Sequence, residues 1–297
     1  MMGAATPPAE DAWRARLLQG LHLELRRLDV DGIATTVLEG GNHWRPIHAA
    51  AFDPAVEEDE RGTVAALAER HHLVMPDVPG LGASGPAPRL DPDAFHRWFA
   101  ELLRLMCPAA PIVVAHSLLG SFAVRFAVRH RALLQQLVVY AAPGVGPYRM
   151  PMGLRVVAVR FAVRPTARNA ERFERFALLD LDATRRRDPE WYDAFSAYTT
   201  ARAKDRHAKA TMRQLIRAGT KQVPDAELRT IDVPTALLWG RDDRMAPLQL
   251  AEGVATRLGW PLYVVDGAAH VPHIEQPGSF LSALSDATRR PSTRSTS

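Results

Sequence analysis

Three residues have the side-chain types that nucleophilic acyl transfer requires: Ser117, Asp243 and His270. A serine hydroxyl is a poor nucleophile until a histidine removes its proton, and that histidine needs an acid to hold its imidazole in the reactive tautomer. We therefore predict that His270 takes the proton of Ser117, that Asp243 orients His270, and that the serine attacks a carbonyl carbon. Water then releases the acyl group, so this chemistry needs neither a cofactor nor a metal ion.

Each of these residues follows a short apolar segment that is typical of a buried parallel strand. Reactive groups of open parallel sheets lie at the carboxyl ends of the strands, so the three side chains are expected to meet at one edge of a sheet. The predicted strands are residues 112–115 before Ser117, 235–239 before Asp243 and 262–265 before His270.

Residues 115–120 predict a sharp turn from a strand into a helix, with Ser117 at its tip. A turn of this kind exposes the serine hydroxyl, and the N-terminus of the following helix favours negative charge beside it. The backbone N–H of Leu118 then points into the same space. We therefore expect Leu118 to donate a hydrogen bond to the oxyanion that forms during the reaction.

These segments resemble the motifs of the α/β-hydrolase superfamily, in the order serine, acid, histidine. The resemblance spans residues 25–290 and implies a capped, serine-nucleophile hydrolase with Ser117, Asp243 and His270 as its catalytic triad. Asp242 is the alternative acid, although the family spacing places the acid four residues after a tryptophan. The matching segments are Trp239-Gly-x-x-Asp243 with Pro247 for the acid turn, Gly267 to Pro277 for the histidine loop, and Asp77 to Ser84 for the loop after the fourth strand.

Two positions depart from the family pattern. Leu119 stands two residues after the serine, where the family has a small residue, so we expect a slightly reshaped turn in which Gly120 relieves the crowding. Near the third strand, His48 is followed by alanine instead of the usual glycine, and this alignment makes the backbone N–H of Ala50 the second oxyanion donor. Because loss of one such donor costs on the order of 100-fold in rate, a non-catalytic ligand-binding protein of this fold is an alternative.

The rest of the chain alternates strand and helix patterns, which predicts an α/β fold with a mostly parallel central sheet and helices on both faces. Asp31-Gly32, between two strand-like segments, predicts an antiparallel hairpin at the start of the sheet. Residues 144–222 carry helical patterns alone, which predicts an inserted helical cap. The expected organisation is a tail with a short helix (1–22), the core (23–143 and 223–289), the cap (144–222) and a disordered tail (290–297).

The cap is expected to set the substrate specificity. His116, Phe161, Trp191 and Val271 are predicted to line the substrate pocket, although aromatic residues of the cap could instead pack its helices together. The resemblance implies hydrolysis of an ester or lactone of a small apolar substrate. Hydrolysis of a carbon–carbon bond in a ring-cleavage-type diketone is the alternative. Residues 239–244 resemble such enzymes, but Val271 stands where they typically have a tryptophan.

Composition limits the other function classes. Of the 297 residues, 47% are hydrophobic and 24% charged, which is the balance of a globular protein with a large core. The single cysteine, Cys107, rules out an intramolecular disulfide and favours a reducing compartment. The first ten residues lack the basic and apolar regions of a signal peptide, so we expect a cytoplasmic location.

The formal net charge of +4 comes mainly from arginine, but no nucleic-acid-binding motif accompanies it. No apolar segment reaches the roughly 18 residues of a membrane span, and Arg160 interrupts the closest approach at 156–163. We therefore expect a monomer or homodimer whose partner is a small-molecule substrate, with no nucleic acid and no membrane among its partners.

Overall fold

The computed structural model describes residues 23–41, 47–50 and 62–289, and residues 47–50 by their backbone alone. Within these ranges, eight strands form two adjoining sheets. The helix predicted near the N-terminus and the disordered tail predicted at 290–297 lie outside the described residues. The strands are β1 (Leu23–Val30), β2 (Ile33–Gly40), β3 (Ile47–Ala50), β4 (Leu73–Pro76), β5 (Ile112–His116), β6 (Gln136–Tyr140), β7 (Thr235–Gly240) and β8 (Leu262–Val265).

The first sheet is antiparallel, with the strand order β1-β2-β4. A two-residue turn joins β1 to β2, and both of its residues have positive φ angles, 53° at Asp31 and 74° at Gly32. Positive φ at both positions defines the primed turn that matches the right-handed twist of a hairpin. The hairpin predicted from Asp31-Gly32 is therefore confirmed.

The second sheet is parallel, with the strand order β3-β5-β6-β7-β8. Because β3 lies against β4, the two sheets continue into one another. The helices are α1 (Thr63–Ala68), α2 (Pro92–Met106), α3 (Ser117–His130), α4 (Met152–Val163), α5 (Ala167–Ala177), α6 (Leu181–Arg187), α7 (Pro189–Arg202), α8 (Arg206–Gly219), α9 (Asp225–Leu228), α10 (Leu248–Leu258), α11 (Pro272–Glu275) and α12 (Pro277–Thr288).

Helices cover both faces of the parallel sheet. Successive residues of each strand point to opposite faces, so neighbouring residues pack against different helices. Val113 of β5 packs in one buried cluster with Phe99 of α2 and Phe122 of α3. Val114, the next residue, packs in a second cluster that includes Phe280 of α12. The strands therefore read as continuous apolar segments rather than as alternating ones, as expected for strands buried on both faces.

Helices α4 to α8 lie between β6 and β7 and form the inserted cap. Four of these five helices begin at a side chain that accepts a hydrogen bond from the third helical amide, which satisfies one of the free N–H groups of the first turn. None of the helices in the described ranges is long and apolar enough to cross a membrane. The capping residues are Thr166, Asp180, Asp188 and Asp205.

Candidate active site

Ser117 lies at the junction of β5 and α3, and its backbone has a φ angle of 52°. A left-handed conformation costs a residue with a Cβ on the order of 1–3 kcal/mol, and such strain is retained mainly where a site needs it. Gly120 is the residue of this turn that must be small, because an added Cβ there would lie 2.7 Å from the Cβ of Ala142. Leu119 is accommodated because its side chain points into the buried core.

His270 and Asp243 complete a chain of hydrogen bonds with the serine. The Nε2 atom of His270 lies 2.9 Å from Ser117 Oγ, and its Nδ1 atom lies 2.9 Å from Asp243 Oδ2. The other carboxylate oxygen of Asp243 accepts the N–H groups of Met245 and Ala246, both at 2.8 Å. The carboxylate is fully buried, whereas the alternative acid, Asp242, is exposed.

The acid turn and the histidine loop are joined through their backbones. The N–H of Asp242 donates to the carbonyl of Ala268 at 3.0 Å, and that of Arg241 donates to Val265 at 3.0 Å. Gly240 allows this approach, because a Cβ at this position would lie 1.9 Å from the carbonyl oxygen of Ala269. The ends of β7 and β8 therefore place Asp243 beside His270.

A layer of aromatic rings lies beneath the histidine loop. His116 Nε2 donates to the carbonyl of His270 at 2.8 Å, and its ring stacks on Tyr140 with a centroid separation of 4.5 Å. Burial, with His270 and His273 nearby, holds the pKa of His116 well below its usual value. The neutral ring therefore carries its proton on Nε2, facing the carbonyl oxygen. This buried position gives His116 a supporting contact with the loop.

His273 belongs to the same layer. Its ring is fully buried, lies edge-on to Tyr140 and Phe280, and has no hydrogen-bond partner among the described residues. Burial lowers the pKa of His273 to about 3, so the ring is neutral and acts as an apolar filler. Although three histidines lie together here, the described part of the chain contains no group of His, Cys, Asp or Glu arranged to hold a metal ion.

The two candidate oxyanion donors lie at the same edge of the sheet as Ser117. Leu118 follows the serine directly at the N-terminus of α3. The end of α8 packs against it, since a Cβ at Gly219 would lie 3.1 Å from the carbonyl oxygen of Leu118. Ala50 is the last residue of β3 and pairs in register with Ala115, two residues before Ser117.

Sequence comparison agrees with this geometry. The model of the alpha/beta hydrolase family matches residues 40–283, which is most of the chain. The chain belongs to this family. One relative is 2-hydroxy-6-oxo-6-(2'-aminophenyl)hexa-2,4-dienoic acid hydrolase of Metapseudomonas resinovorans, to which the hydrolase is 24% identical over 276 residues. The match covers 89% of this chain and 91% of the relative. The hydrolase is 27% identical over 258 residues, 82% of its length and 91% of the relative, to pimeloyl-(acyl-carrier protein) methyl ester esterase of Chromobacterium violaceum.

Solved structures show the same fold. A membrane phospholipase A superposes on the hydrolase with a TM-score of 0.75 over 95% of this chain and 92% of the other, at 22% sequence identity. The predicted α/β-hydrolase fold with a helical cap is therefore confirmed.

The cap of the hydrolase is bonded to the histidine loop through Glu275. One carboxylate oxygen of Glu275 accepts the N–H of Leu179 in the cap, and the other accepts the N–H of Ala269 at 2.7 Å. The N–H of His270 itself donates to the carbonyl of Ala177, the last residue of α5, at 2.9 Å. Burial raises the pKa of Glu275, while the two amide donors oppose that shift. The catalytic loop and the cap are thus one hydrogen-bonded unit.

Two arginines add to this attachment. Arg187 at the end of α6 donates to the carbonyl of Ile274 at 2.6 Å, and Arg244 of the acid turn donates to the carbonyl of Leu178. No local pattern in the sequence predicts these bonds between the cap and the two loops. For the bond between Glu275 and Leu179, the sequence offers one signal, a glutamate within the histidine loop. Nothing in the sequence indicates Leu179 as the donor.

The remaining residues predicted to line the pocket fall into two groups. Trp191 and Val271 belong to an apolar cluster with Ile274 that joins the cap to the histidine loop. Phe161 of α4 stacks on Phe173 of α5, with a centroid separation of 6.0 Å, and so packs two cap helices together. Val271 is therefore next to His270 in the chain and Trp191 lies in the cluster that its side chain joins, whereas Phe161 has a packing contact within the cap.

Proposed function

We propose that this hydrolase cleaves a carboxylic ester or lactone of a small apolar substrate through an acyl-enzyme on Ser117. The observation that carries the proposal is the continuous hydrogen-bond chain from Ser117 Oγ through His270 to the buried carboxylate of Asp243. A serine is activated by this arrangement because each partner holds the next in the protonation state and orientation that proton transfer needs.

In the proposed reaction, His270 Nε2 accepts the proton of Ser117 as Oγ attacks the carbonyl carbon of the substrate. Asp243 stabilises the imidazolium that forms. The backbone N–H of Leu118, at the positive end of α3, stabilises the oxyanion, and we assign Ala50 as the second donor. His270 then gives its proton to the leaving alcohol, and water hydrolyses the acyl-enzyme by the same steps in reverse.

The proposed bond type is supported by the relative named as a methyl ester esterase and by the residue after the histidine. Val271 is partly buried against an apolar cluster that includes Trp191 and Ile274, so the surroundings of the residue after His270 are apolar, which favours an acyl chain over a charged group. The relative named as a hexadienoic acid hydrolase favours a second candidate, cleavage of a carbon–carbon bond in a vinylogous diketone, by the same three residues.

The test is turnover of p-nitrophenyl esters of increasing acyl length by the full chain, beside Ser117→Ala and the exposed-serine control Ser279→Ala. We expect turnover by the wild type and the control, with a preference for short to medium acyl chains, and none above background in Ser117→Ala. Equal turnover in Ser117→Ala would refute the serine mechanism. Turnover of a 2-hydroxy-6-oxohexa-2,4-dienoate in preference to every ester would favour the carbon–carbon alternative.

We also propose, from composition, that the enzyme is a cytoplasmic monomer or homodimer that binds no nucleic acid. The single cysteine and the lack of a nucleic-acid-binding motif support this proposal.

A further inference from the structure

Helix α4 presents an apolar stripe to solvent. Its members are exposed by 68%, 45%, 61% and 72%, values that are typical of polar residues, and they form what we call the α4 stripe: Met152, Val156, Val159 and Val163. Their spacing of four, three and four residues places them within about 60° of arc on an α-helix. Scattered exposed apolar residues are ordinary, but a row on one face marks a binding surface.

The opposite side of α4 is held by the cap. Leu154 is buried, and Phe161 stacks on Phe173 of α5. Gly153 is in close contact with the ring of Phe176, since a Cβ there would lie 2.7 Å from it. The orientation of α4 is therefore fixed by these contacts, and the α4 stripe faces outward.

Arginines border the stripe on both sides. Arg155 and Arg160 lie about 70° to either side of its centre on the helical wheel, and Arg164 follows at the end of the helix. All three are exposed, and none forms an ion pair within the described part of the chain. No Asp or Glu occurs between Glu101 and Glu171, so nothing in this stretch of sequence neutralises them.

We propose that α4 docks on an anionic lipid surface, with the α4 stripe in the acyl boundary and Arg155, Arg160 and Arg164 on the headgroups. The stripe and its arginines suit a membrane interface, because long cationic side chains extend to the phosphates while the apolar residues between them are buried. A second copy of α4 fits less well, because pairing the stripes would bring arginines against arginines. The helix spans about 18 Å along its axis and lies on the surface without crossing it.

The proposed docking differs from the expectation that no membrane is among the partners of this protein, and Arg160 explains the difference. The arginine at position 160 does interrupt an apolar segment, which excludes a span. In the folded helix it borders the stripe instead of breaking it.

The docking surface is connected to the candidate active site through two contacts. Gly153, at the start of α4, touches Phe176 of α5, and the next residue, Ala177, accepts the N–H of His270. A lipid surface held by α4 therefore lies on the cap side of the histidine loop. The α4 stripe lies outside the triad, so vesicle binding and ester hydrolysis are measured separately and either can fail without the other.

The experiment is co-sedimentation of the full chain carrying Ser117→Ala, which prevents lipid hydrolysis, with vesicles of phosphatidylcholine alone or mixed with phosphatidylglycerol. We expect binding to the anionic vesicles that weakens when NaCl rises from about 0.05 M to about 0.5 M. Arg155→Gln with Arg160→Gln is expected to weaken binding about 25-fold, since each basic residue near a lipid surface contributes about 1 kcal/mol. Val156→Ser with Val159→Ser is expected to weaken it about tenfold or more.

Two exposed residues elsewhere provide matched controls: Leu105→Ser for the apolar changes and Arg27→Gln for the charge changes. Both controls are expected to bind like the parent. In chains that retain Ser117, the α4 changes are expected to leave p-nitrophenyl acetate turnover equal to that of the wild type. Vesicle binding and ester hydrolysis are thereby measured independently. The proposal is overturned if the parent does not bind anionic vesicles, or if the α4 variants bind them as well as the controls do. If vesicle binding is absent and the α4 variants alter the oligomeric state, the stripe binds a second copy of the chain instead, which also overturns the proposal.

Discussion

The backbone N–H of His270 donates a hydrogen bond to the carbonyl oxygen of Ala177 at 2.9 Å, so the candidate catalytic histidine is bonded directly to the end of a cap helix. The position of the imidazole relative to Ser117 therefore depends on how the cap is seated, and changes at the attachment are expected to alter catalysis more than stability.

Glu275→Gln tests this dependence. The amide group that replaces one carboxylate oxygen cannot accept an N–H, so either Leu179 or Ala269 loses its acceptor, at a cost of about 1–3 kcal/mol. We expect kcat for p-nitrophenyl acetate to fall about tenfold, because a small displacement of His270 misaligns proton transfer. Glu252→Gln, at an exposed glutamate, is the control. A lower Tm with unchanged kcat would show that Glu275 has a structural role only.

Gly240→Ala is expected to damage folding itself. The added Cβ would lie 1.9 Å from the carbonyl oxygen of Ala269, and both atoms belong to backbone segments that cannot move without separating Asp243 from His270. We expect a loss of at least about 3 kcal/mol in the free energy of unfolding, measured by urea denaturation. Gly253→Ala in α10 is the matched control: there the nearest atom is the flexible end of Arg257, and alanine favours a helix by up to about 1 kcal/mol. Equal effects of the two substitutions would contradict the prediction.

Gly219→Ala is expected to lower kcat with little change in KM. The new methyl group would press on the carbonyl and the side chain of Leu118, at 3.1–3.2 Å, and shift the N–H that we assign to the oxyanion hole. Misplacing one such donor costs up to about 100-fold in kcat. The comparison is steady-state kinetics on one short-chain ester. An increase in KM alone would indicate that the end of α8 affects substrate binding instead.

The stability of the protein is expected to fall in mild acid because of buried histidines. Burial is the main cause that lowers the pKa of His96 to about 4, and its ring lies among Phe95, Phe126 and His130. The unfolded chain binds a proton near pH 6.5 and the folded chain only near pH 4, so the stabilisation is complete above pH 6.5 and is lost as the pH falls toward 4.

His96→Phe is expected to reduce this pH dependence, because phenylalanine fits an aromatic environment and does not titrate. The measurement is the urea midpoint at neutral pH and at a pH between the two values, with the exposed-histidine control His207→Gln. If the variant loses as much stability in acid as the wild type, another group is responsible, and His273 is the next candidate.

Local signals in the sequence were sufficient for much of this architecture. Asp31-Gly32 predicts its turn because only a few residue types tolerate two positive φ angles in succession. The order of Ser117, Asp243 and His270 after apolar strands predicts their meeting, because parallel strands end at one edge of a sheet.

Contacts between distant segments were not predictable in the same way. His116 carries a polar side chain next to the serine, which favours a place in the pocket, yet the register of β5 with β6 sets it opposite Tyr140, and the two rings stack. Likewise, the hydrogen bond between Glu275 and the N–H of Leu179 joins residues 96 positions apart, and no local pattern indicates it. These outcomes depend on the packing of whole elements, which a single sequence does not specify.

Two hydrogen bonds between the cap and the loops of Asp243 and His270 are accepted by main-chain carbonyl groups of the insertion, those of Ala177 and Leu178. Every amino acid supplies the same carbonyl group, so replacing these residues leaves the acceptors in place. The bond to the carbonyl of Ile274 in the histidine loop differs, because its donor is the side chain of Arg187 in the insertion and is lost when that arginine is replaced. The insertion can therefore change its side chains at residues 177 and 178 and keep these main-chain bonds to the two loops, but it cannot do so at Arg187.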